Sequence, residues 1–114
     1  MAKHDPDLSR LFQALADPTR RSMLERLALG PAQVTELAGP TGLKLPTVMR
    51  HLAVLEGAGL IATSKDGRVR TCAIVPAALA PVRSWLDAQR ALWEARLDRL
   101  DAFVMDGMKD KGNE

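Results

Sequence analysis

The sequence is poor in cysteine and histidine, and each shortage excludes a class of site. A single cysteine, Cys72, in 114 residues excludes an internal disulfide and a zinc site built from several cysteines. Two histidines are too few to complete such a site, so we expect no metal and no cofactor. No run of about 18 apolar residues occurs, and the first residues lack the apolar core of a signal peptide. These absences predict a cytoplasmic protein without a membrane span.

Motifs of common enzymes are also missing. The chain has no G-x-S-x-G pattern, no P-loop and no G-x-G-x-x-G pattern. Cys72 and His51 could form a nucleophile and its base, but the pair would still need an orienting group and a pocket. A small hydrolase of this kind predicts an activity that is lost in Cys72→Ser. Otherwise the sequence predicts a protein that is not an enzyme.

The composition is that of an ordinary globular protein, with an uneven distribution of charge. Apolar residues make up 46% and charged residues 26%, typical of one folded domain, which we predict to span residues 1–114. The whole chain carries +2, yet residues 40–75 alone carry +3, from five basic and two acidic residues. A basic middle segment favours a polyanionic partner, although a solvated surface would give the same imbalance.

The first half of the chain predicts a series of helices. Apolar residues at helical spacing indicate two of them, the second capped by Asp17, with Pro18 in its first turn and Gly30 after its end. A short helix and a longer one follow over about residues 33–58, separated by a turn at about residues 40–44. Such a pair is a helix-turn-helix candidate, whose second helix enters the major groove when it binds DNA.

Two β-rich runs follow over about residues 60–75, on either side of the dipeptide Asp66-Gly67. This dipeptide is favoured in tight hairpins because its backbone accepts positive φ. Three basic residues crowd the turn: Lys65, Arg68 and Arg70. A lone hairpin is only marginally stable, so we predict that it packs on the helices and presents a basic wing. An edge hairpin kept soluble by its charges would have the same sequence pattern.

The second helix of the pair, which begins near Pro46, has two different faces. Leu52 and Leu55 lie within about 40° of Val48 around the helix axis at about 100° per residue, which predicts a buried line. Arg50 points to the opposite side, where it can donate to a guanine edge or to a phosphate. Neighbouring Thr47 could contact a base or a phosphate, or could cap the first turn.

The last part of the chain predicts one long amphipathic helix over about residues 78–106. Its apolar residues fall in one wide stripe, and its charged residues lie opposite. About 25 residues at about 1.5 Å each make a rod of roughly 37 Å, longer than the body of a domain of this size. We therefore predict a dimerisation helix that uses Trp85, Leu86, Leu92, Trp93, Leu97, Leu100 and Phe103. A helix folded back on its own core is the alternative.

Three segments together resemble the ArsR-type family of winged helix-turn-helix transcription regulators. They are ALADPTRRSMLERLALG, VTELAGPTGLKLPTVMRHLAVLEGAGLI and KDGRVRTCAIV, in the order and spacing of the family. The long last helix is similar to that of a branch that does not sense metals. The resemblance implies a mainly α fold with a small β-hairpin. It also implies a homodimer that binds a pseudo-palindromic operator, usually as a repressor, with its wings along the DNA backbone.

The chain departs from the family at several positions. Lys44 and Leu45 stand where a Ser-Gln pair often opens the recognition helix, and Met49 stands where a serine is common. A base-reading glutamine and a capping serine are therefore absent, and we expect Lys44 to contact phosphate. The segment VTELAGP lacks the cysteines of metal-sensing relatives, and the last helix lacks the histidines of others. We accordingly expect neither metal site.

These observations predict a DNA-binding transcriptional regulator whose partners are double-stranded DNA and a second copy of the chain. The predicted DNA contacts are Lys44, Thr47, Arg50, His51, Lys65, Arg68 and Arg70. Only the family resemblance raises His51 above a packing residue. The inducing signal stays open between a small molecule at the dimer interface, oxidation of Cys72 and no ligand. An interaction module that binds another protein through its tryptophan-rich helix, without DNA, is the alternative function.

Overall fold

The computed structural model describes residues 6–112, with side-chain environments for residues 7–107; the predicted domain also includes residues 1–5 and 113–114, which lie outside this range. The helices and strands in chain order are α1 Pro6–Leu15, α2 Pro18–Leu27, β1 Ala32–Gln33, α3 Val34–Ala38, α4 Leu45–Gly57, β2 Ile61–Asp66, β3 Val69–Ile74 and α5 Ala80–Gly112. Two 3₁₀ turns, Gly39–Thr41 and Pro76–Leu79, precede α4 and α5. The predicted fold class, mainly α with a small β component, is confirmed.

Side chains at the start of α2 hold the corner between α1 and α2. Asp17 caps α2 as predicted, because its Oδ2 accepts a hydrogen bond from the backbone N–H of Arg20 at 3.0 Å, and Pro18 occupies the first turn. The guanidinium of Arg20 donates to the backbone carbonyls of Ala14 at 2.8 Å and of Gln13 at 2.9 Å. Both carbonyls lie in the last turn of α1, and that of Gln13 also accepts from the backbone N–H of Ala16 at 3.2 Å.

The sheet has one strand more than the sequence predicted. The predicted hairpin is present as β2 and β3, with Asp66 opposite Val69 and Gly67 at φ 63° in the turn between them. In addition, β1 pairs antiparallel with β3 and places Ala32 opposite Cys72, so the strand order is β1-β3-β2. Prediction from sequence missed β1 because two residues carry no alternation pattern, and only pairing with a distant strand makes them extended.

Helices α1 to α4 and the sheet bury their apolar side chains in one core, which Val82 near the start of α5 also joins. The predicted line of Val48, Leu52 and Leu55 is part of it, as are Met23 and Leu27 of α2. The full set is Leu11, Ala14, Met23, Leu24, Leu27, Ala32, Val34, Leu37, Val48, Leu52, Leu55, Leu60, Ile61, Cys72 and Val82. This core fixes which face of α4 points away from the protein.

Helix α5 differs from the prediction at both ends. It begins at Ala80, because Pro76–Leu79 forms a separate 3₁₀ turn, and it continues to Gly112 instead of ending near residue 106. Residues up to Val82 belong to one compact unit and residues from Arg83 onward to a second one. The single domain expected from the sequence stays a prediction. None of the helices among the described residues combines the length and the apolar character needed to cross a membrane.

Candidate nucleic-acid interface

The outer face of α4 is the first part of the candidate interface. With Val48, Leu52 and Leu55 turned into the core, the side chain of Arg50 is exposed and that of Thr47 is half-buried. Small exposed residues on α4, such as Ala53, leave space on either side of the guanidinium. A helix with a small-residue face can approach base edges closely, and arginine can donate two hydrogen bonds to guanine.

The start of α4 is held by backbone hydrogen bonds. The carbonyl of Lys44 accepts from the N–H groups of Thr47 at 3.0 Å and of Val48 at 3.1 Å, and no side chain caps the helix in the described part of the chain. Lys44 is exposed just before the first turn. Its contact with a phosphate beside the helix stays a prediction.

The hairpin forms the second part of the interface and concentrates positive charge. Lys65 and Arg70 stand directly opposite each other across β2 and β3, and Arg68 is exposed in the turn. Like charges at directly opposed positions destabilise a strand pair. No ion pair joins these three residues to a carboxylate among residues 7–107. An external anion would relieve the repulsion, so this geometry favours phosphate binding.

A cleft of about 340 Å³ separates the hairpin from α3 and from the start of α4. Its lining residues are Gln33, Val34, Thr35, Leu45, Met49, Lys65, Arg68, Val69 and Arg70. The fold thus brings the three predicted wing cations together along one wall. Thr47 and Arg50 do not line the cleft, and they lie on the outer face of α4. The candidate interface consists of this cleft, the outer face and Lys44.

His51 lies on another side of α4, towards α2. Its Nδ1 is 3.3 Å from Nη1 of Arg20 and 3.9 Å from Oδ2 of Asp17. An arginine offers only donors, so in the neutral ring Nδ1 accepts and the proton sits on Nε2. The backbone N–H of Arg20 lowers the pKa of Asp17 below its ordinary value. Partial burial acts in the opposite direction, and the guanidinium of Arg20 and the imidazole of His51, when the latter is protonated, lower the pKa further.

The sequence does not predict this cluster of Asp17, Arg20 and His51. It joins α4 to the corner between α1 and α2, across 31 residues from Arg20 to His51. Neither helical periodicity nor a local motif predicts a contact between residues so far apart in the sequence. The cluster connects α4 to the start of α2, and a DNA contact by His51 stays a prediction.

Cys72 sits in the middle of β3 with its side chain fully buried. Burial raises the pKa of its thiol above the ordinary value, since a thiolate would lose its hydration there. The protonated thiol is neither a ready nucleophile nor easily oxidised. This environment counts against the hydrolase hypothesis and against oxidation of Cys72 as the inducing signal.

We predict that Cys72 in the native protein reacts with iodoacetamide at pH 8 more slowly than in the urea-unfolded protein, on the order of a thousandfold or more. The factor follows if only global unfolding exposes the thiol. Mass spectrometry of the alkylated protein over time measures it. Ser64→Cys provides the control, because its cysteine lies at an exposed position of the same sheet and should react rapidly. Equal rates at the two cysteines would mean that Cys72 is accessible.

Helix α5 presents a row of exposed apolar side chains. Trp93 is 68% exposed and Phe103 is 76% exposed, which is unusual for aromatic residues. The other predicted dimerisation residues are exposed as well: Trp85, Leu86, Leu92, Leu97 and Leu100. Apolar patches of this extent usually mark an interaction surface. Within residues 6–112, no group of three or more histidine, cysteine, aspartate or glutamate side chains is placed to hold a metal ion.

Comparison with known proteins identifies the architecture. A family model described as a helix-turn-helix domain matches residues 15–64. The chain is 45% identical over 78 residues to the HTH-type transcriptional regulator Rv2034 of Mycobacterium tuberculosis, covering 68% of this chain and 73% of that protein. The region matched by the family model contains α2, α3 and α4, so it includes the helix pair described above.

Solved structures agree with these matches. The crystal structure of the ArsR family transcriptional regulator RHA00566 superposes with a TM-score of 0.75 and 53% identity, over 77% of this chain and 97% of that one. The homodimeric winged helix-turn-helix DNA-binding domain Mb0332 of Mycobacterium bovis superposes with a TM-score of 0.60 and 26% identity, over 81% and 94% of the two chains. The helix pair and the hairpin are therefore a helix-turn-helix and its wing.

Proposed function

This chain belongs to the ArsR family of winged helix-turn-helix transcriptional regulators, and from that premise we propose that it is a homodimeric repressor that binds a pseudo-palindromic operator. In each protomer α4 enters a major groove and the wing follows the neighbouring backbone. The observation that carries this proposal is the opposed pair Lys65 and Arg70 beside the exposed start of α4, whose like charges have no ion-pair partner among residues 7–107. The family consists of regulators and not of enzymes, and its members bind DNA.

We assign different roles to the two parts of the interface. Arg50, with Thr47 beside it, reads base edges from the outer face of α4. The remaining cations hold phosphates and set the register of the protein on the duplex: Lys44, Lys65, Arg68 and Arg70. His51 stays a predicted contact that would act through its Nε2, because Arg20 already occupies Nδ1.

The proposed dimer forms through the exposed apolar row of α5. A two-fold axis would place two recognition helices on half-sites about one helical turn of DNA apart, roughly 34–36 Å. A protein seated across both half-sites blocks access to the DNA, which supports repression. The homodimeric assembly of the domain Mb0332 supports the same arrangement. A protein-interaction module without DNA binding does not account for membership of this family.

We also propose that this protein belongs to the branch of the family that does not respond to metal ions. The support is chemical: the segment VTELAGP has no cysteine, and the last helix has no histidine. Thiolate and imidazole are the ligands that thiophilic and borderline metals prefer. A small molecule at the dimer interface, one of the inducing signals that the sequence leaves open, is not tested.

Salt titration of duplex binding tests the phosphate contacts. Arg68→Ala should flatten the slope of log affinity against log salt by about 0.9 per protomer, or about 1.8 for the dimer, because each protomer loses one phosphate contact and its released counterion. Arg90→Ala is the matched control, since Arg90 is exposed on the polar side of α5 and should leave the slope unchanged. An unaltered slope in Arg68→Ala would remove this residue from the interface. Equal flattening in both variants would assign the effect to net charge.

A further inference from the structure

The first residue of the recognition helix is an apolar side chain that the fold leaves outside its core. Leu45 is 51% exposed, whereas Leu52 and Leu55 on the same helix are 3% and 0% exposed. Lys44 before it and Pro46 after it are exposed as well. Neither neighbour in the sequence therefore shields Leu45 from solvent at the start of the helix. Recognition helices contact base edges chiefly through their N-terminal residues. Leu45 therefore occupies a position where sequence is read.

The surroundings of Leu45 are cationic, which indicates that its apolar side chain contacts a negatively charged partner. It lines the cleft of about 340 Å³ whose opposite wall carries Lys65, Arg68 and Arg70. Met49, one turn further along α4, lines the same cleft. Three cations without carboxylate partners among the described residues favour binding of a polyanion. An apolar side chain beside them favours a polyanion that also offers an apolar group for contact. Duplex DNA has such a feature.

Leucine has no donor or acceptor, so it cannot read the hydrogen-bonding pattern of a base. In the major groove, the apolar group on a base edge is the 5-methyl group of thymine. We propose that Leu45 is a specificity-determining residue that packs on the methyl group of one thymine in each operator half-site. This inference rests on the proposed DNA-binding function. It adds to that function the chemical group that the first residue of α4 recognises.

The test uses duplexes selected by the wild-type protein from a random-sequence pool. Each thymine of the selected sequence is replaced in turn by deoxyuridine, which removes only the methyl group. Replacement of the thymine at one position should weaken wild-type binding by about fourfold when one half-site is changed, and by about fifteenfold when both half-sites are changed. Leu45→Ala should bind the thymine and deoxyuridine duplexes equally. Leu45→Met keeps an apolar side chain and should restore the difference.

Selection with Leu45→Ala gives a second readout. The base preference should relax at the position where deoxyuridine weakened wild-type binding, and the other positions should keep their preferences. Val54→Ala is the control, because Val54 is an exposed apolar residue of the same helix, nine residues further on, and should keep the wild-type response to deoxyuridine.

The outcomes separate this inference from the function on which it rests. A selected sequence that lacks thymine, or one whose thymines can all be replaced without effect, overturns the role of Leu45 while duplex binding stands. An equal response to deoxyuridine in wild type and Leu45→Ala overturns it as well, since the effect would then come from DNA shape. Failure of the wild-type protein to enrich any duplex overturns both proposals.

Discussion

Trp93→Glu is expected to raise the dissociation constant of the dimer by about a thousandfold or more. Loss of an interface tryptophan lowers the binding free energy by about 2 kcal/mol or more. A two-fold interface contains each substitution twice, so the dimer loses about 4 kcal/mol of association free energy. Trp93 is 68% exposed in this chain and lies within the apolar row of α5. We therefore expect a second copy of the chain to bury it. The introduced carboxylate adds the cost of removing a charge from water.

Sedimentation velocity over a range of protein concentrations measures this change, and DNA binding reports its consequence. A monomer contacts one half-site only, so the affinity of Trp93→Glu for the full operator should fall towards the affinity of wild type for a single half-site. Ala95→Glu is the matched control. It introduces the same charge two residues away, at an exposed position about 200° around the helix, and should stay dimeric.

Two results would contradict the dimer. Wild-type protein that sediments as a monomer at the concentrations that saturate DNA would remove α5 as a dimerisation helix. Equal dissociation in Trp93→Glu and Ala95→Glu would show that added charge anywhere on α5 disrupts assembly. In that case the apolar row would have no special role.

Leu55→Ala should lower the free energy of unfolding by about 2–5 kcal/mol. The side chain of Leu55 is fully buried between α4 and the rest of the core, and alanine leaves a cavity there. Domains of this kind are stable by only about 5–15 kcal/mol, so the loss is a large fraction of the total.

Urea denaturation followed by circular dichroism measures this change, at one protein concentration because dimer formation adds to apparent stability. Val54→Ala is the neighbouring control, since Val54 is 38% exposed and its truncation should cost much less. The midpoint of thermal unfolding of Leu55→Ala should drop by on the order of 10 °C. A loss no greater than that of Val54→Ala would show that α4 is not anchored by its predicted buried line.

Prediction from sequence was most successful where free energy is decided locally. Asp17 before Pro18 predicted the start of α2, and the structure has the cap in place. Asp66-Gly67 predicted the hairpin turn through the positive φ that glycine accepts, and Gly67 has it. The buried line of α4 also followed from the sequence, since helical periodicity alone decides which residues share a face.

The candidate interface was predicted only in part. The wing cations and Arg50 could be named from their types and from their places on the predicted elements. The cleft that gathers Lys65, Arg68 and Arg70 opposite Leu45 required the packing of the hairpin against α3 and α4. The exposure of Leu45 could not be foreseen either, because its position beside the buried line suggests burial unless the packing around the helix start is known.

By itself, then, the sequence determined the helices, their buried faces, the hairpin and the basic character of the wing. Each of these depends on residues within a few positions of one another, whose backbone preferences and side-chain spacing act without the rest of the chain. Tertiary structure decided the pairing of Ala32 with Cys72, the contact of His51 with Arg20 and the burial of the thiol. Those features join segments 31 to 40 residues apart, and their free energy exists only once packing has brought the segments together.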